Sequence, residues 1–118
     1  MELNYCKKEN IVIIYLQGHI DIYVASFIEK KINKLIVDES ASDFILNLND
    51  VDYVSSAGLG IFISITGILK KKRRKLVFCN LNDVVIKILG ILNLTDMFHI
   101  FRTENEAVEF LKKGIEPD

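Results

Sequence analysis

Two hydroxyl groups stand side by side in Val54-Ser55-Ser56-Ala57-Gly58-Leu59-Gly60, where a polar stretch gives way to a long apolar run. A serine at such a junction can do either of two things. It can cap a helix by accepting a backbone N–H. It can also carry a phosphate, because free N–H groups and the positive end of the helix dipole stabilise a dianion there. About −1.5 to −2 charges on a docking edge would expel a bound protein through bulk, desolvation and like charge, with little change of fold. Asp50 and Asp52 lie just upstream and would add to that repulsion. Taken alone, the two aspartates read as a solvated loop before a helix.

Other chemistry finds little support. The two histidines, His19 and His99, have no Cys, His or carboxylate at ligand spacing, so the chain predicts no metal site and no cofactor. His19 is close to Asp21 in sequence, but that spacing in an irregular segment defines no dyad. Gly58-Leu59-Gly60 falls short of a dinucleotide fingerprint, because the third glycine's position holds Ile63, and no phosphate-loop Lys-Ser/Thr pair follows. Ser56 lacks the preceding glycine of a hydrolase elbow. No set of nucleophile, base and electrophile can be assembled, so the expectation is a protein that is not an enzyme.

Composition sets the class. The chain has 118 residues, half of them apolar, and a net charge of −1. That length predicts one domain able to bury a core unaided. The charge balance gives no global attraction to nucleic acid or anionic lipid. The basic run from Lys70 to Lys75 reads as a solvated helix end, with no aromatic residues interleaved for base stacking. Cys6 and Cys79 are far apart and read as buried or half-buried thiols of a reducing compartment. No signal peptide is visible, and the apolar run from Ala57 to Leu69 is too short to span a bilayer. A cytoplasmic location follows as an expectation.

The elements that must position the serines can be read from periodicity. Leu3 to Lys7 and Ile11 to Gln17 form a hairpin of strands, the second ending at Gly18. Val24, Phe27, Ile28, Ile32, Leu35 and Ile36 recur at helical spacing. Phe44 to Leu48 is a short buried strand, and Asn49 to Asp52 reads as a loop. Ser56 to Lys71 is a helix apolar nearly all round, which predicts cover on both sides. Its one small or polar stripe, Gly60, Ser64, Gly67 and Lys71, can face solvent or accept a close partner. Leu76 to Asn80 is a strand, and Asn82 caps a helix carrying Val85, Ile88, Leu89 and Leu92. Phe98 to Phe101 is the last strand, and Thr103 with Glu106 has the spacing of a capping box. The order β-β-α-β-α-β-α-β-α predicts an α/β domain over residues 1–113. Its sheet is mostly parallel with an antiparallel N-terminal edge strand, and residues 114–118 form a short flexible tail. In such a sheet, ligands and partners meet the carboxyl ends of the strands. That edge carries Gly18 to Asp21, Asp50 to Ser56 and Asn80 to Asp83.

The segment from Leu46 to Gly60, Leu-Asn-Leu-Asn-Asp-Val-Asp-Tyr-Val-Ser-Ser-Ala-Gly-Leu-Gly, resembles the signature of STAS-domain anti-sigma factor antagonists, the bacterial anti-anti-sigma factors. Gly18-His19-Ile20-Asp21 is similar to that family's glycine-x-x-aspartate turn. The resemblance implies a partner switch. The unphosphorylated antagonist binds an anti-sigma factor that is also a serine kinase, is released on phosphorylation, and is reset by a serine phosphatase. The accepting serine of the family falls on Ser56, with Ser55 the second candidate. Ser55 stands where many members have aspartate, and Ala57 where a hydroxyl or glycine often follows. The implied partner surface is Asp21, Asp50, Asp52, Ser55, Ser56, Ala57, Gly58 and Gly60. The alternative is a STAS interaction module independent of phosphorylation, in a membrane transport or signalling complex. Neither reading involves direct nucleic-acid binding or membrane insertion.

Overall fold

The computed structural model describes residues 3–40 and 42–113. Five strands form one sheet in the order β1 (Asn4–Lys8), β2 (Ile11–Ile20), β3 (Asp43–Val54), β4 (Leu76–Cys79) and β5 (His99–Phe101). Four helices follow the alternation: α1 (Ile22–Asp38), α2 (Ser56–Lys71), α3 (Asp83–Ile91) and α4 (Glu104–Lys112). A single 3₁₀ turn, Thr95–Met97, is an addition that the periodicity did not indicate. β1 is antiparallel to β2, and every later pair is parallel.

Handedness dictates the layers. Strand order equals chain order, so three successive right-handed crossovers must put α1, α2 and α3 on the same face. Only α4, which follows the last strand, is free to cover the other face. The core divides accordingly. Val12, Ile14, Leu16, Phe44, Leu46, Leu48, Leu76 and Phe78 bury against the three crossover helices. Ile11, Ile13, Ile45, Val77 and Cys79 alternate with them and meet Ala107, Val108 and Leu111 of α4. This two-sided burial is why β2 and β4 read as continuous apolar runs rather than alternating ones.

The caps hold as predicted for α3 and α4. Asn82 accepts the Val85 N–H at 2.9 Å, and Thr103 with Glu106 closes a capping box. Helices α2 and α3 both end in a Schellman turn. In α2 the N–H of Arg74 reaches the Leu69 carbonyl, with Arg73 at φ 59°. In α3 the N–H of Leu94 reaches the Leu89 carbonyl, with Asn93 at φ 58°.

Two expectations are corrected. Asn49 to Asp52 is not a loop: β3 runs on to Val54, and β2 runs on past Gly18 to Ile20. Pairing with β2 satisfies the backbone groups on one side of that stretch, and two register shifts absorb the extra residues of β3 as bulges. Helix α2 is also covered on one side only, since Ile63 is exposed together with the stripe residues Gly60, Ser64 and Gly67. The predicted tail, residues 114–118, lies outside the described residues.

Candidate functional site

Helix α2 begins on Ser55, not on Ser56. Ser55 has extended backbone (φ −73°, ψ 168°), and its hydroxyl accepts the Gly58 N–H at 3.2 Å. Ser56 is the first helical residue and is exposed. Among the described residues its hydroxyl makes no hydrogen bond, so it is not engaged in holding the helix. Of the two adjacent serines the cap falls on Ser55, because only one of them can have the extended backbone that aims Oγ back at the third N–H.

Gly58 sets how closely this helix start approaches the sheet. A Cβ there would lie 2.8 Å from Val54 Cγ1 and 2.9 Å from Ile20 Cγ2. Both neighbours are buried and β-branched, so neither can swing away cheaply. The Ser55 N–H also donates to the Ile20 carbonyl at 2.9 Å, and Ile20 pairs with Val54 across the sheet. The next residue on each strand is a helix cap. Asp21 accepts the N–H groups of Tyr23 and Val24 at 3.0 and 2.9 Å, opening α1 beside α2. Two helix N-termini thus emerge side by side, and their positive ends share one edge.

Below them the sheet narrows to a ribbon. β4 pairs with β3 only over Phe44 to Asn47, so β3 from Leu48 onward is flanked by β2 alone. Asn82 pins the ribbon by donating to the Val51 carbonyl at 2.7 Å. His19 and Asp52 meet across it, Nδ1 to Oδ1 at 2.6 Å, with both side chains largely exposed. The His19 ring lies 5.8 Å from that of Tyr53. Sequence spacing gives no sign of this contact, because the partner of His19 comes from another strand. Asp50 stands apart from this group. It lies four residues before the end of β3, a run of about 13 Å at strand rise, and accepts from Asn49 Nδ2.

Exposed apolar side chains complete the edge. Tyr23 is 83% exposed, Ile22 63% and Tyr53 43%. None was singled out from sequence. The available signal was that Ile22 and Tyr23 follow the cap but lie off the apolar stripe that starts at Val24. Ala57, Gly58 and Ser55 are partly or wholly covered, whereas Gly60 is exposed, and a Cβ added to it would meet nothing within 4 Å. Among the described residues no group of His, Cys, Asp and Glu could hold a metal ion, and no helix is long and apolar enough to cross a membrane.

The STAS domain family model matches residues 2–107. The anti-sigma-B factor antagonist of Bacillus subtilis is 32% identical over 103 residues, which span 87% of this chain and 93% of that protein. The chain is a STAS domain of the anti-sigma factor antagonist family. Solved structures agree in fold. A candidate anti-sigma factor antagonist of Thermotoga maritima superposes with a TM-score of 0.87 at 22% identity, covering 93% of this chain and 94% of that one. The anti-sigma factor antagonist SpoIIAA in its unphosphorylated form gives 0.79 at 21% identity, covering 98% and 100%. Its phosphorylated form gives 0.71 at 20% identity, covering 93% and 99%. Membership in this family makes the chain a regulatory protein rather than an enzyme.

Behind this edge, on the α4 face, lies a buried polar group that periodicity did not reveal. Asn47 is 8% exposed. Its Nδ2 donates to Glu104 Oε1 at 3.0 Å, and its Oδ1 accepts the Asn49 N–H at 2.9 Å. Burial and the Glu104 carboxylate hold the Tyr15 phenol well above its ordinary value. Burial, with a smaller contribution from Glu104, pushes the Cys79 thiol up to about 12. Cys79 is buried and Cys6 half-buried, as their spacing suggested.

Proposed function

We propose that this STAS domain is a cytoplasmic anti-sigma factor antagonist that works by partner switching through Ser56. In the unphosphorylated state it docks an anti-sigma factor that is also a serine kinase. The docking edge comprises the α2 start, Asp21, and the ribbon with Asp52. Phosphorylation of Ser56 releases the partner, and a serine phosphatase restores binding. The observation that carries this reading is the division of labour between the two serines: Ser55 caps α2, which leaves the Ser56 hydroxyl exposed and uncommitted. The adjacent N-termini of α1 and α2 would stabilise a dianion on it. Ile22, Tyr23 and Tyr53 offer apolar contact area to a docked protein.

The test is a paired capture from lysate of the source cells, with wild type and Ser56→Glu as baits and mass spectrometry as the readout. Wild type should capture a kinase-type ATPase that Ser56→Glu does not. Capture of the same protein by both baits would replace the switch with a phosphorylation-independent interaction module. Incubating the captured ATPase and ATP with the wild-type domain should add one phosphate to it, and none to Ser56→Ala.

A further inference from the structure

The opposite pole of the sheet carries a feature that partner switching leaves unused. Residues 70–75 read Lys-Lys-Lys-Arg-Arg-Lys. A cavity of about 500 Å³ opens there, lined by Lys70, Arg73, Arg74, Lys75, His99 and Met97 among others, and among the described residues none of its wall is a carboxylate. Among the described residues none of Lys70, Lys71, Lys72, Arg73 or Arg74 forms an ion pair.

Helix-end electrostatics explains only part of this cluster. Cations are favoured in the last turn of α2, where Lys70 and Lys71 stand, and the effect fades beyond it. Arg73 to Lys75 lie past that turn. Arg73 also occupies the left-handed position of the Schellman turn, at φ 59°, where glycine or asparagine is the unstrained choice. Helix α3 closes the same turn with asparagine. An arginine there keeps a guanidinium on the cavity at a conformational cost. Arg74 Nε is shut off from solvent and has no acceptor among the described residues, and a buried donor of that kind calls for one. Two of the wall groups are held by packing. Lys75 Nζ sits 5.4 Å over the Phe110 ring, and the His99 ring lies 5.2 Å from the same ring.

Planar guanidinium groups match phosphate oxygens in pairs, and the volume suits a small molecule. Among the described lining residues only His99 carries a ring, which is too few for the successive stacked bases of a nucleic-acid track. We propose that this cavity binds the phosphate group of a small, multiply charged anion, at the pole opposite the Ser56 edge.

Inorganic pyrophosphate is the probe. It is titrated into the full chain at constant ionic strength and followed by assigned amide spectra. Saturable shifts are expected at residues 70–76 and 97–99, with residues 55–60 unmoved. Lys70→Ala and Arg74→Lys should each weaken affinity at least fivefold with native spectra retained. Arg73→Gly is the sharper variant, because removing the left-handed arginine should raise the melting temperature while weakening binding at least fivefold. Shifts that chloride reproduces, or equal affinity in Arg73→Gly, overturn the proposal. Vesicles of phosphatidylglycerol and a single-stranded oligonucleotide are run alongside. Binding to either one without a response to pyrophosphate overturns the small-anion site, in favour of a lipid surface or a nucleic acid respectively.

Discussion

Adjacent serines at the start of α2 have different work, and single substitutions should separate them. Ser55 accepts the Gly58 N–H, so Ser55→Ala should cost about 1 kcal/mol in chemical denaturation. Ser56 is exposed and makes no such bond, so Ser56→Ala should stay within about 0.5 kcal/mol of wild type while abolishing phosphate incorporation. Equal losses for both variants would show that the cap is shared. Asp21 needs a similar dissection, because it is both the α1 cap and a candidate partner contact. Asp21→Ala should lose about 1 kcal/mol and partner affinity together. Asp21→Ser keeps an oxygen for the cap but not the charge, so it should recover stability and leave affinity low. Recovery of both by serine would reduce Asp21 to a cap. Sequence alone placed all three residues at the carboxyl ends of the strands, where they lie. It could not say which serine capped, because that depends on a backbone angle set where the chain leaves the strand.

At the scale of elements, the two nearby glycines of α2 make opposite predictions. Gly58 faces Val54 and Ile20 at distances no real Cβ tolerates, so Gly58→Ala should destabilise by about 1–3 kcal/mol through overpacking. Gly60 has open space, so Gly60→Ala should stabilise by about 0.5–1 kcal/mol, since alanine is the better helix former. If the partner lies against that stripe, Gly60→Ala will lower affinity even as the melting temperature rises. Affinity unchanged at the higher stability would remove Gly60 from the docking surface. The β2–β3 ribbon marks the limit of local reading. Asn49-Asp50-Val51-Asp52 has turn composition, and only the facing strand from Gln17 to Ile20 makes it a strand. The His19–Asp52 contact is a product of that same pairing.

Across the whole molecule, the α4 face holds two groups that bind their protons more tightly folded than unfolded. The Cys79 thiol moves from its ordinary 9.0 up to about 12, and the Tyr15 phenol also moves upward. A raised folded value means stability that is complete below the unfolded value and lost as pH climbs through the folded one. The denaturation midpoint should therefore hold from about pH 7 to 9 and fall from about pH 9 to 12. Cys79→Ala should give a lower midpoint at neutral pH and a shallower alkaline decline. A wild-type midpoint that stays level up to about pH 11 would contradict the burial of these groups. The same face explains the polar residue Asn47 inside an apolar strand: it bonds to Glu104 at the head of α4 and so helps register that helix on the sheet.

Sequence by itself determined most of this fold. Apolar periods placed every strand and α-helix, cap residues located the starts of α3 and α4, and the alternating order implied parallel pairing. These signals act within a few residues, where sterics and single hydrogen bonds decide the outcome. The stretch from Leu46 to Gly60 likewise carried the family resemblance. Tertiary structure decided what depends on contact between distant segments. It extended β2 and β3 into a ribbon, brought His19 to Asp52, set the Ala57–Gly58 turn of α2 hard against Ile20, and left Tyr23 and Tyr53 exposed at the edge where Ser55 caps α2. It also gathered His99 and Met97 around the basic end of α2. Such pairings are set by register, crossover handedness and shape, which are properties of the packed sheet and not of any short run of residues.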